Sequence, residues 1–288
     1  MTGLAKLLDR TAVLFIGIGV GATIAAAFAQ GDASGSRAAG DPPRATMAAA
    51  RSCPTGVQLA PHLMRTIRQG KNIEIGVFGD SFGEGIWAGL YNDLRDDPDF
   101  VVHRFSKQST GFTRYSSLNL LDDARQKIAA QPVDIAVINF GANDTQDIYD
   151  QGRLMPYMSP DWQRVVGERV KAYVELFRSQ GASVVWVGLP RMRKPSFDGQ
   201  IQQMNRFYAD LMCDLKVPFI DTLPKSIDRQ GAYSEYLKPA DGGEPVKARA
   251  ADGIHMSMTG YRILIADMTA NIRQFDPPSS QGGSATLR

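Results

Sequence analysis

The stretch IEIGVFGDSFGEGIWAGLYNDL, residues 73–94, changes from a strand pattern to a helix pattern within a few residues. Its first six residues are almost entirely apolar, which predicts a strand that is covered on both faces. Trp87, Leu90 and Leu94 then recur at helical spacing and share one face. The tripeptide Gly-Asp-Ser that ends at Ser81 lies between the two patterns. We therefore expect a strand that leads directly into a helix, with polar residues at the turn.

Four further apolar runs of strand length alternate with helical patterns. The predicted strands are residues 100–105, 133–140, 183–189 and 217–221, and the predicted helices lie within 118–130, 165–177, 204–215 and 257–275. This alternation predicts βαβ units with right-handed crossovers. The expected fold is an α/β protein: a three-layer α/β/α sandwich around a doubly wound, five-stranded parallel sheet. Ligands of such sheets bind beyond the carboxyl ends of the strands, so functional residues should follow the strands.

The composition indicates an ordinary folded protein and excludes several functional classes. The 288 residues are 43% hydrophobic and 22% charged, which supplies enough apolar material for a sizeable core. The net charge of +2 lacks the clear basic excess that is typical of nucleic-acid binders. Three histidines and two cysteines are too few for a His-rich metal site or a structural zinc site. We therefore expect neither a nucleic-acid partner nor a bound metal.

The N-terminus predicts export. Lys6 and Arg10 precede an uncharged apolar stretch, residues 11–29, which ends in Ala-Phe-Ala. Small residues at these positions suit cleavage before Gln30 by signal peptidase, but the stretch is also long enough to cross a bilayer uncleaved. Both alternatives place the rest of the chain outside the cytoplasm, because the basic flank stays inside. The expected location is periplasmic or secreted, with membrane contact only through this segment.

The rest of the chain divides into three parts by composition. Residues 1–29, the signal peptide or anchor, are followed by a flexible tether (30–56), one folded domain (57–275) and a disordered tail (276–288). Cys53 lies in the predicted tether and Cys213 in the domain. In an oxidising compartment they could form a disulfide, and the alternative is two unpaired thiols.

Four polar clusters follow predicted strands or precede the last helix. They are residues 79–81 (Gly-Asp-Ser), 109–111 (Ser-Thr-Gly), 141–144 (Gly-Ala-Asn-Asp) and 252–255 (Asp-Gly-Ile-His). In a parallel sheet they converge on one edge. Acyl transfer requires a hydroxyl nucleophile, a base, a group that orients the base and donors for an oxyanion. The four clusters together supply all of these.

In this order and spacing, the clusters resemble the conserved blocks of the SGNH (GDSL-type) hydrolase superfamily over about residues 73–268. The export segment and the Asp-Gly-Ile-His block resemble a periplasmic branch of that superfamily, the DUF459-like group. The resemblance implies a flavodoxin-like sheet with strand order 2-1-3-4-5. It also implies ester hydrolysis without a metal or another cofactor. Phe82 stands where leucine is common in the family, and both residues are apolar.

The resemblance implies a role for each matched residue. Ser81 would be the nucleophile, His255 the general base and then the general acid, and Asp252 the group that orients the imidazole. The backbone N–H groups of Ser81 and Gly111 and the side-chain amide of Asn143 would form the oxyanion hole. A glycine at position 111 suits this role, because without a Cβ its N–H can approach the substrate closely.

Each of these residues also has a structural interpretation when taken alone. Ser81 could be a helix N-cap, the 252–255 cluster a capping turn, and Asn143 a simple turn residue. All of these interpretations would have to hold at once to remove the site, so we favour the catalytic one. Asp80 and Asp144 are expected to cap or brace the turns rather than to react.

Basic side chains gather near the same predicted edge. They are Lys107, Arg114, Arg191, Arg193 and Lys194. A solvated surface would explain them, and the alternative is attraction of an anionic glycan, with Arg114 and Arg191 as the candidate substrate contacts. The loop 145–162 is long and aromatic, which suits either sugar stacking or packing of the loop itself.

These inferences predict an exported serine esterase, a hydrolase that acts on carboxylic ester bonds. We expect it to remove O-acetyl or other short acyl groups from cell-envelope or extracellular carbohydrate, because no long apolar segment flanks the polar clusters. Its partner would be an acylated carbohydrate or another small ester. Two alternatives remain: an acyltransferase that uses the same triad with a sugar acceptor, and a non-catalytic envelope-binding protein.

Overall fold

Five parallel strands form the central sheet of the computed structural model, which describes residues 52–150, 152–239 and 242–275. In chain order the strands are β1 (Ile73–Gly79), β2 (Phe100–Arg104), β3 (Ile135–Asn139), β4 (Ile148–Asp150), β5 (Arg153–Met155), β6 (Ser183–Val187), β7 (Phe219–Ile220), β8 (Tyr236–Leu237) and β9 (Val246–Lys247). The sheet has the order β2-β1-β3-β6-β7, and each neighbouring pair is parallel. Counted within the sheet, this is the order 2-1-3-4-5, so the expected topology is confirmed.

Six helices of the described residues surround the strands. They are α1 (Pro61–Arg68), α2 (Ser81–Leu94), α3 (Leu120–Ala130), α4 (Pro160–Ser179), α5 (Pro195–Asp214) and α6 (Met258–Arg273). Side-chain caps define where several of them begin: Asn119 caps α3, Ser159 caps α4 and Ser257 caps α6. Each cap oxygen accepts a backbone N–H that would otherwise have no partner in the helix. Among the described residues, none of the helices is both long and apolar enough to span a bilayer.

Alternate residues of each strand enter two separate hydrophobic clusters, which makes the three layers. Val77 and Val137 point into a cluster that includes α2 and α6. Their neighbours Phe78 and Ile138 point into the cluster on the other face, which includes α3 and α4. Successive side chains of a strand point to opposite faces, so an almost continuous apolar strand is the expected pattern for a sheet covered twice.

Helix α5 begins nine residues before its predicted start at residue 204. The prediction was wrong because Asp198, in the part of the helix that was missed, is buried on the inward face and interrupts the apolar spacing. Asp198 accepts the backbone N–H of Met192 at 2.7 Å. Asn205 accepts the N–H of Leu189 at 2.9 Å and donates to its carbonyl at 2.7 Å. The two polar side chains thus provide hydrogen-bond partners for backbone groups in the loop that follows β6.

Two short hairpins extend from the sandwich. Strands β8 and β9 pair antiparallel and form the first of them. Strands β4 and β5 form a second hairpin in the long loop after β3, which was not predicted. Tyr157 of that loop donates to Gln200 O at 2.8 Å, and Trp162, at the start of α4, is fully buried and donates to Gln146 O at 2.9 Å, so both rings pack the loop. Tyr149 remains 73% exposed.

The described chain begins at Ser52, inside the predicted tether. The predicted signal or anchor segment, most of the tether and the tail lie outside the described residues. Cys53 forms a disulfide with Cys213 of α5, 160 residues later in the sequence, so the first of the two cysteine alternatives is confirmed. At the start of β6, the hydroxyl of Ser183 donates to Gln58 O at 2.6 Å and accepts the N–H of Ala60 at 3.1 Å. Residues 52–60 therefore lie along the edge where the strands begin.

Candidate active site

Ser81 is the first residue of α2, immediately after β1. The N-cap of this helix is Asp80, whose carboxylate accepts the N–H of Phe82 at 2.8 Å. The interpretation of Ser81 as an N-cap is therefore wrong, and its hydroxyl is available for another partner. That partner is His255, with 2.8 Å between Ser81 Oγ and His255 Nε2.

His255 is oriented by Asp252, as expected from the three-residue spacing. The Nδ1 atom of the imidazole lies 2.7 Å from Asp252 Oδ2. The other oxygen, Oδ1, accepts the backbone N–H groups of Ile254 at 2.8 Å and of His255 at 3.0 Å. Partial burial alone would raise the pKa of Asp252, but the hydrogen bonds from the ring and the two N–H groups lower it. The carboxylate thus stays ionised beside the imidazole.

Phe82 supports the imidazole from its face. The two rings are stacked, with 5.3 Å between their centroids and 25° between their planes. Phe82 is fully buried against α6, where it also meets the edge of Tyr261. The departure from the common leucine therefore has a visible consequence, which is an aromatic surface under His255.

Asn143 lies beside both other clusters that were expected to form the oxyanion hole. Its Nδ2 atom donates to the carbonyl of Thr110 at 3.0 Å and to Asp80 Oδ2 at 3.1 Å. The structure thus brings the amide next to the Thr110–Gly111 peptide and to the residue that precedes Ser81. An oxyanion would have to replace or share one of these two acceptors.

Two buried carboxyl groups lie beneath this part of the site. Burial raises the pKa of Asp80 from 3.8 to about 7, although hydrogen bonds from Phe82 and Asn143 act in the opposite direction. Burial also raises the pKa of Asp144, whose carboxylate accepts the N–H and the hydroxyl of Thr113, each at 2.8 Å. Both residues cap or brace the turns, as expected.

The close approach of Asp144 explains why residue 111 is glycine. A Cβ on Gly111 would overlap the Asp144 carboxylate. The same carboxylate fixes the chain at Thr113, two residues later. Absence of a side chain therefore allows the loop after β2 to lie directly on the loop after β3.

The arginines near the site are mostly engaged by the protein itself. Arg191, one of the two candidate substrate contacts, forms an ion pair with Asp198 at 3.2 Å. Arg114, the other, donates to the carbonyl of Ser109 at 3.0 Å. Arg193 donates to Ala251 O at 2.8 Å and so supports the loop that holds Asp252. All three side chains thus bind groups of the protein itself. This weakens the case for Arg114 and Arg191 as substrate ligands.

Arg249 is a positioning residue that the sequence analysis missed. Its buried guanidinium donates to Arg191 O at 2.6 Å and to Ile254 O at 3.4 Å, so it ties the residue before His255 to the loop after β6. Burial lowers its pKa from 12.5 to about 10, which keeps it charged at neutral pH. The available signal was a single arginine between small residues, Ala248-Arg249-Ala250, close to the last polar cluster.

Ser81 and His255 open into a surface groove of about 450 Å³, whose walls include Glu84, Trp87, Arg104, Gln108 and Tyr261. Two hollows elsewhere on the described surface are slightly larger, at about 500 and 570 Å³, but neither is lined by a serine and a histidine together. Among the described residues, no group of three or more His, Cys, Asp or Glu side chains is placed to hold a metal ion.

A family model described as "Protein of unknown function (DUF459)" matches residues 74–271, a segment that contains all four polar clusters. The chain belongs to the DUF459 family. The resemblance to that group noted from the sequence is thus confirmed. No curated protein matches this DUF459 chain significantly.

Several solved structures are similar to the DUF459 chain. A GDSL-like lipase from Bacteroides thetaiotaomicron has 17% identity and a TM-score of 0.47, over 74% of this chain and 95% of that one. The aryl esterase of M. smegmatis has 17% identity and a TM-score of 0.48, over 70% and 99%. A mutant acetyl-xylooligosaccharide esterase from Geobacillus has 15% identity and a TM-score of 0.46, over 75% and 96%.

Proposed function

We propose that this DUF459 protein is a serine hydrolase of the SGNH type that cleaves carboxylic esters. The observation that carries the proposal is the contact of 2.8 Å between Ser81 Oγ and His255 Nε2, with Asp252 on the other ring nitrogen. A hydroxyl, an imidazole and a carboxylate in this order can move a proton away from the attacking oxygen. The geometry needs no additional group to activate the serine.

In the first half of the reaction, Ser81 Oγ attacks the ester carbonyl carbon and its proton passes to His255 Nε2. The carbonyl oxygen becomes an oxyanion, which the N–H groups of Ser81 and Gly111 and the amide of Asn143 stabilise. The Asp252 carboxylate stabilises the imidazolium. When the tetrahedral intermediate collapses, the C–O bond to the alcohol breaks and His255 gives the proton to the leaving oxygen.

In the second half, water attacks the acyl group on Ser81. His255 takes a proton from this water, and the second tetrahedral intermediate forms at the same oxyanion position. Its collapse breaks the bond to Ser81 Oγ, which recovers the proton from His255. The products are the free alcohol and the carboxylic acid, and the enzyme returns to its starting state.

The groove favours small polar substrates. Its walls carry the charged or amide side chains of Glu84, Arg104 and Gln108 beside the reacting serine. The rings of Trp87 and Tyr261 also line the groove, but because it is open to solvent, a long alkyl chain would bury little apolar area there. We therefore propose O-acetyl or other short acyl groups on carbohydrate as the substrate.

Export is part of the proposal. The apolar stretch 11–29 with its basic flank supports it. The disulfide between Cys53 and Cys213 supports it independently, since such bonds persist in oxidising compartments. We place the enzyme in the periplasm or outside the cell. Acyl transfer to a sugar is the second candidate, because an open groove admits a sugar hydroxyl as well as water.

The test is the turnover of p-nitrophenyl acetate by the oxidised protein. Ser81→Ala and His255→Ala should each lower kcat/KM by about 10⁴-fold, and the double variant should be scarcely worse, since members of a triad act as a unit. His62→Ala, at the opposite edge of the sheet, is the matched control and should leave turnover unchanged. Circular dichroism checks that each variant is folded.

Three further measurements define the reaction. Octanoate and dodecanoate esters should react more slowly than acetate, and faster cleavage of the long chains would indicate a lipase. EDTA should have no effect, and loss of activity that zinc restores would contradict the serine mechanism. Acetylated sugars, added with acceptor sugars, distinguish hydrolysis from transfer by their products. Turnover that is unaffected by Ser81→Ala would refute the proposed function.

A further inference from the structure

Arg104 is the last residue of β2 and lies in the wall of the groove that holds Ser81 and His255. Its side chain is exposed to solvent. The guanidinium carbon lies 5.3 Å from the centroid of the Trp87 ring, in the range of a cation–π contact. Arg104 does not stand out in the sequence as a site residue, because it lies inside a predicted strand rather than after it.

Trp87 is itself held in place. Its indole N–H donates to the carbonyl of Val102 at 3.2 Å, across from α2 to β2. Tyr91 stacks on it one helical turn later, with 5.6 Å between the ring centroids and 25° between the planes. A fixed aromatic surface reduces the freedom that an arginine loses when it binds a ligand. The guanidinium of Arg104 is therefore positioned before any substrate arrives.

Among the described residues, no Asp or Glu lies within ion-pair distance of Arg104, whereas Arg191 and Arg193 have Asp198 and Glu235. The acidic residue of the groove, Glu84, accepts a hydrogen bond from Gln108 at 2.6 Å. The groove thus presents one unpaired cation close to the nucleophile.

We propose that Arg104, supported by Trp87, is a binding site for a carboxylate on the substrate, so that the preferred ester belongs to an acidic molecule such as a uronic-acid sugar. This inference rests on the proposed esterase function. A guanidinium binds a carboxylate through two parallel hydrogen bonds. A single arginine with Glu84 on the same groove matches one negative charge better than the two charges of a phosphate. Tyr91, 41% exposed, extends the aromatic surface on which a sugar ring could pack.

The test compares esters that differ only in one charge. The first pair is 4-acetoxybenzoate and its methyl ester, which place or mask a carboxylate on the leaving group. The second pair is mono-p-nitrophenyl succinate and its methyl ester, which place or mask a carboxylate on the acyl group. Arg104→Gln should lower kcat/KM for at least one anionic ester by about tenfold and leave its neutral counterpart unchanged. Arg68→Gln, an exposed arginine of α1 at the far edge of the sheet, removes the same charge and should change neither.

Binding can be measured without turnover, because Trp87 is partly exposed to solvent and its fluorescence can be quenched from solution. Of the three tryptophans, Trp162 and Trp186 are fully buried, so iodide should quench only Trp87. At constant ionic strength, glucuronate should protect Trp87 from iodide in the wild type and not in Arg104→Gln. Glucose, which lacks the charge, should not protect. Inorganic phosphate should protect less than glucuronate.

The outcomes separate the two proposals. Arg104-dependent protection by glucuronate in a protein that hydrolyses no ester would support the carboxylate site and refute the esterase. Hydrolysis with equal effects of Arg104→Gln on anionic and neutral esters, and no protection by glucuronate, would refute the site and leave the esterase standing. Stronger protection by phosphate than by glucuronate would overturn the choice of a carboxylate.

Discussion

The side-chain amide of Asn143 donates a hydrogen bond to the buried carboxylate of Asp80, with 3.1 Å between Nδ2 and Oδ2. Asp80 also caps the helix that begins with Ser81. One carboxylate therefore fixes both the start of the helix that carries Ser81 and the amide that was expected to stabilise an oxyanion. Because the two are anchored together, their relative position depends little on the exposed loops around them.

Replacement of Asn143 by alanine should lower kcat by about 10²- to 10³-fold with little change in KM. The reason is that an oxyanion donor interacts with charge that develops only in the transition state. Steady-state kinetics with p-nitrophenyl acetate measure both parameters, and Asn72→Ala at the far edge of the sheet is the control. A change confined to KM would mean that Asn143 binds the substrate in its ground state.

Replacement of Asp80 by asparagine should flatten the pH dependence of stability. Burial raises the pKa of Asp80 from 3.8 to about 7, so the folded protein keeps a proton that the unfolded chain has already lost. Between about pH 4 and about pH 7 the folded state binds more protons, and stability falls as pH rises. The Tm of Asp80→Asn should therefore fall less than that of the wild type across this range.

The control for this prediction is a carboxylate that is exposed to solvent and not buried. Asp96 is almost fully exposed, so Asp96→Asn should follow the wild-type curve of Tm against pH. Thermal unfolding at several pH values gives all three curves. Parallel curves for the wild type and Asp80→Asn would show that Asp80 titrates alike in the folded and unfolded states.

Replacement of Phe82 by leucine should lower kcat by about two- to tenfold. The ring stacks on the imidazole of His255, and aromatic contacts of this kind contribute about 0.5–1.5 kcal/mol. Phe100→Leu removes a ring from the same hydrophobic cluster away from His255 and serves as the control. If both variants lower kcat equally, the effect comes from general packing and not from the stack.

Loss of the disulfide should destabilise the protein without affecting catalysis. The bond joins residues 160 positions apart, so it restricts a large part of the unfolded chain, and its removal should cost about 2–5 kcal/mol. Cys53→Ala should lower Tm by roughly 5–15 °C and leave kcat/KM unchanged. The double variant with Cys213→Ala should match the single one. A Tm that does not respond to dithiothreitol would contradict the prediction.

The sheet and the triad could be predicted from the sequence because each depends on local patterns. Apolar runs of strand length need burial on both faces, and polar residues directly after such runs must lie at one edge of a parallel sheet. The start of α5 could not be predicted in this way, because Asp198 interrupts the apolar spacing where it accepts a backbone N–H from the loop after β6. Hydrophobic periodicity cannot identify an inward polar side chain whose partner is backbone from another segment.

Arg104 and Arg249 are site residues that the sequence pattern could not predict, for a similar reason. Arg249 acts through carbonyl groups of residues 191 and 254, and Arg104 through a ring on a different element. Neither kind of contact joins residues at a fixed spacing in the sequence. Conversely, Arg114 and Arg191 lie after strands, as expected, but Ser109 and Asp198 occupy them.

The attachment of residues 52–60 determines how the molecule can be mounted on a surface. Cys53 is bonded near the end of α5, and Gln58 and Ala60 meet the start of β6, whereas Ser81 follows the end of β1. A parallel sheet keeps these two sets of strand ends on opposite sides. A biotin or a bead attached ahead of Ser52 would therefore leave the groove facing the bulk solution. Even a bulky polymer should reach the groove of the immobilised protein without obstruction from the support.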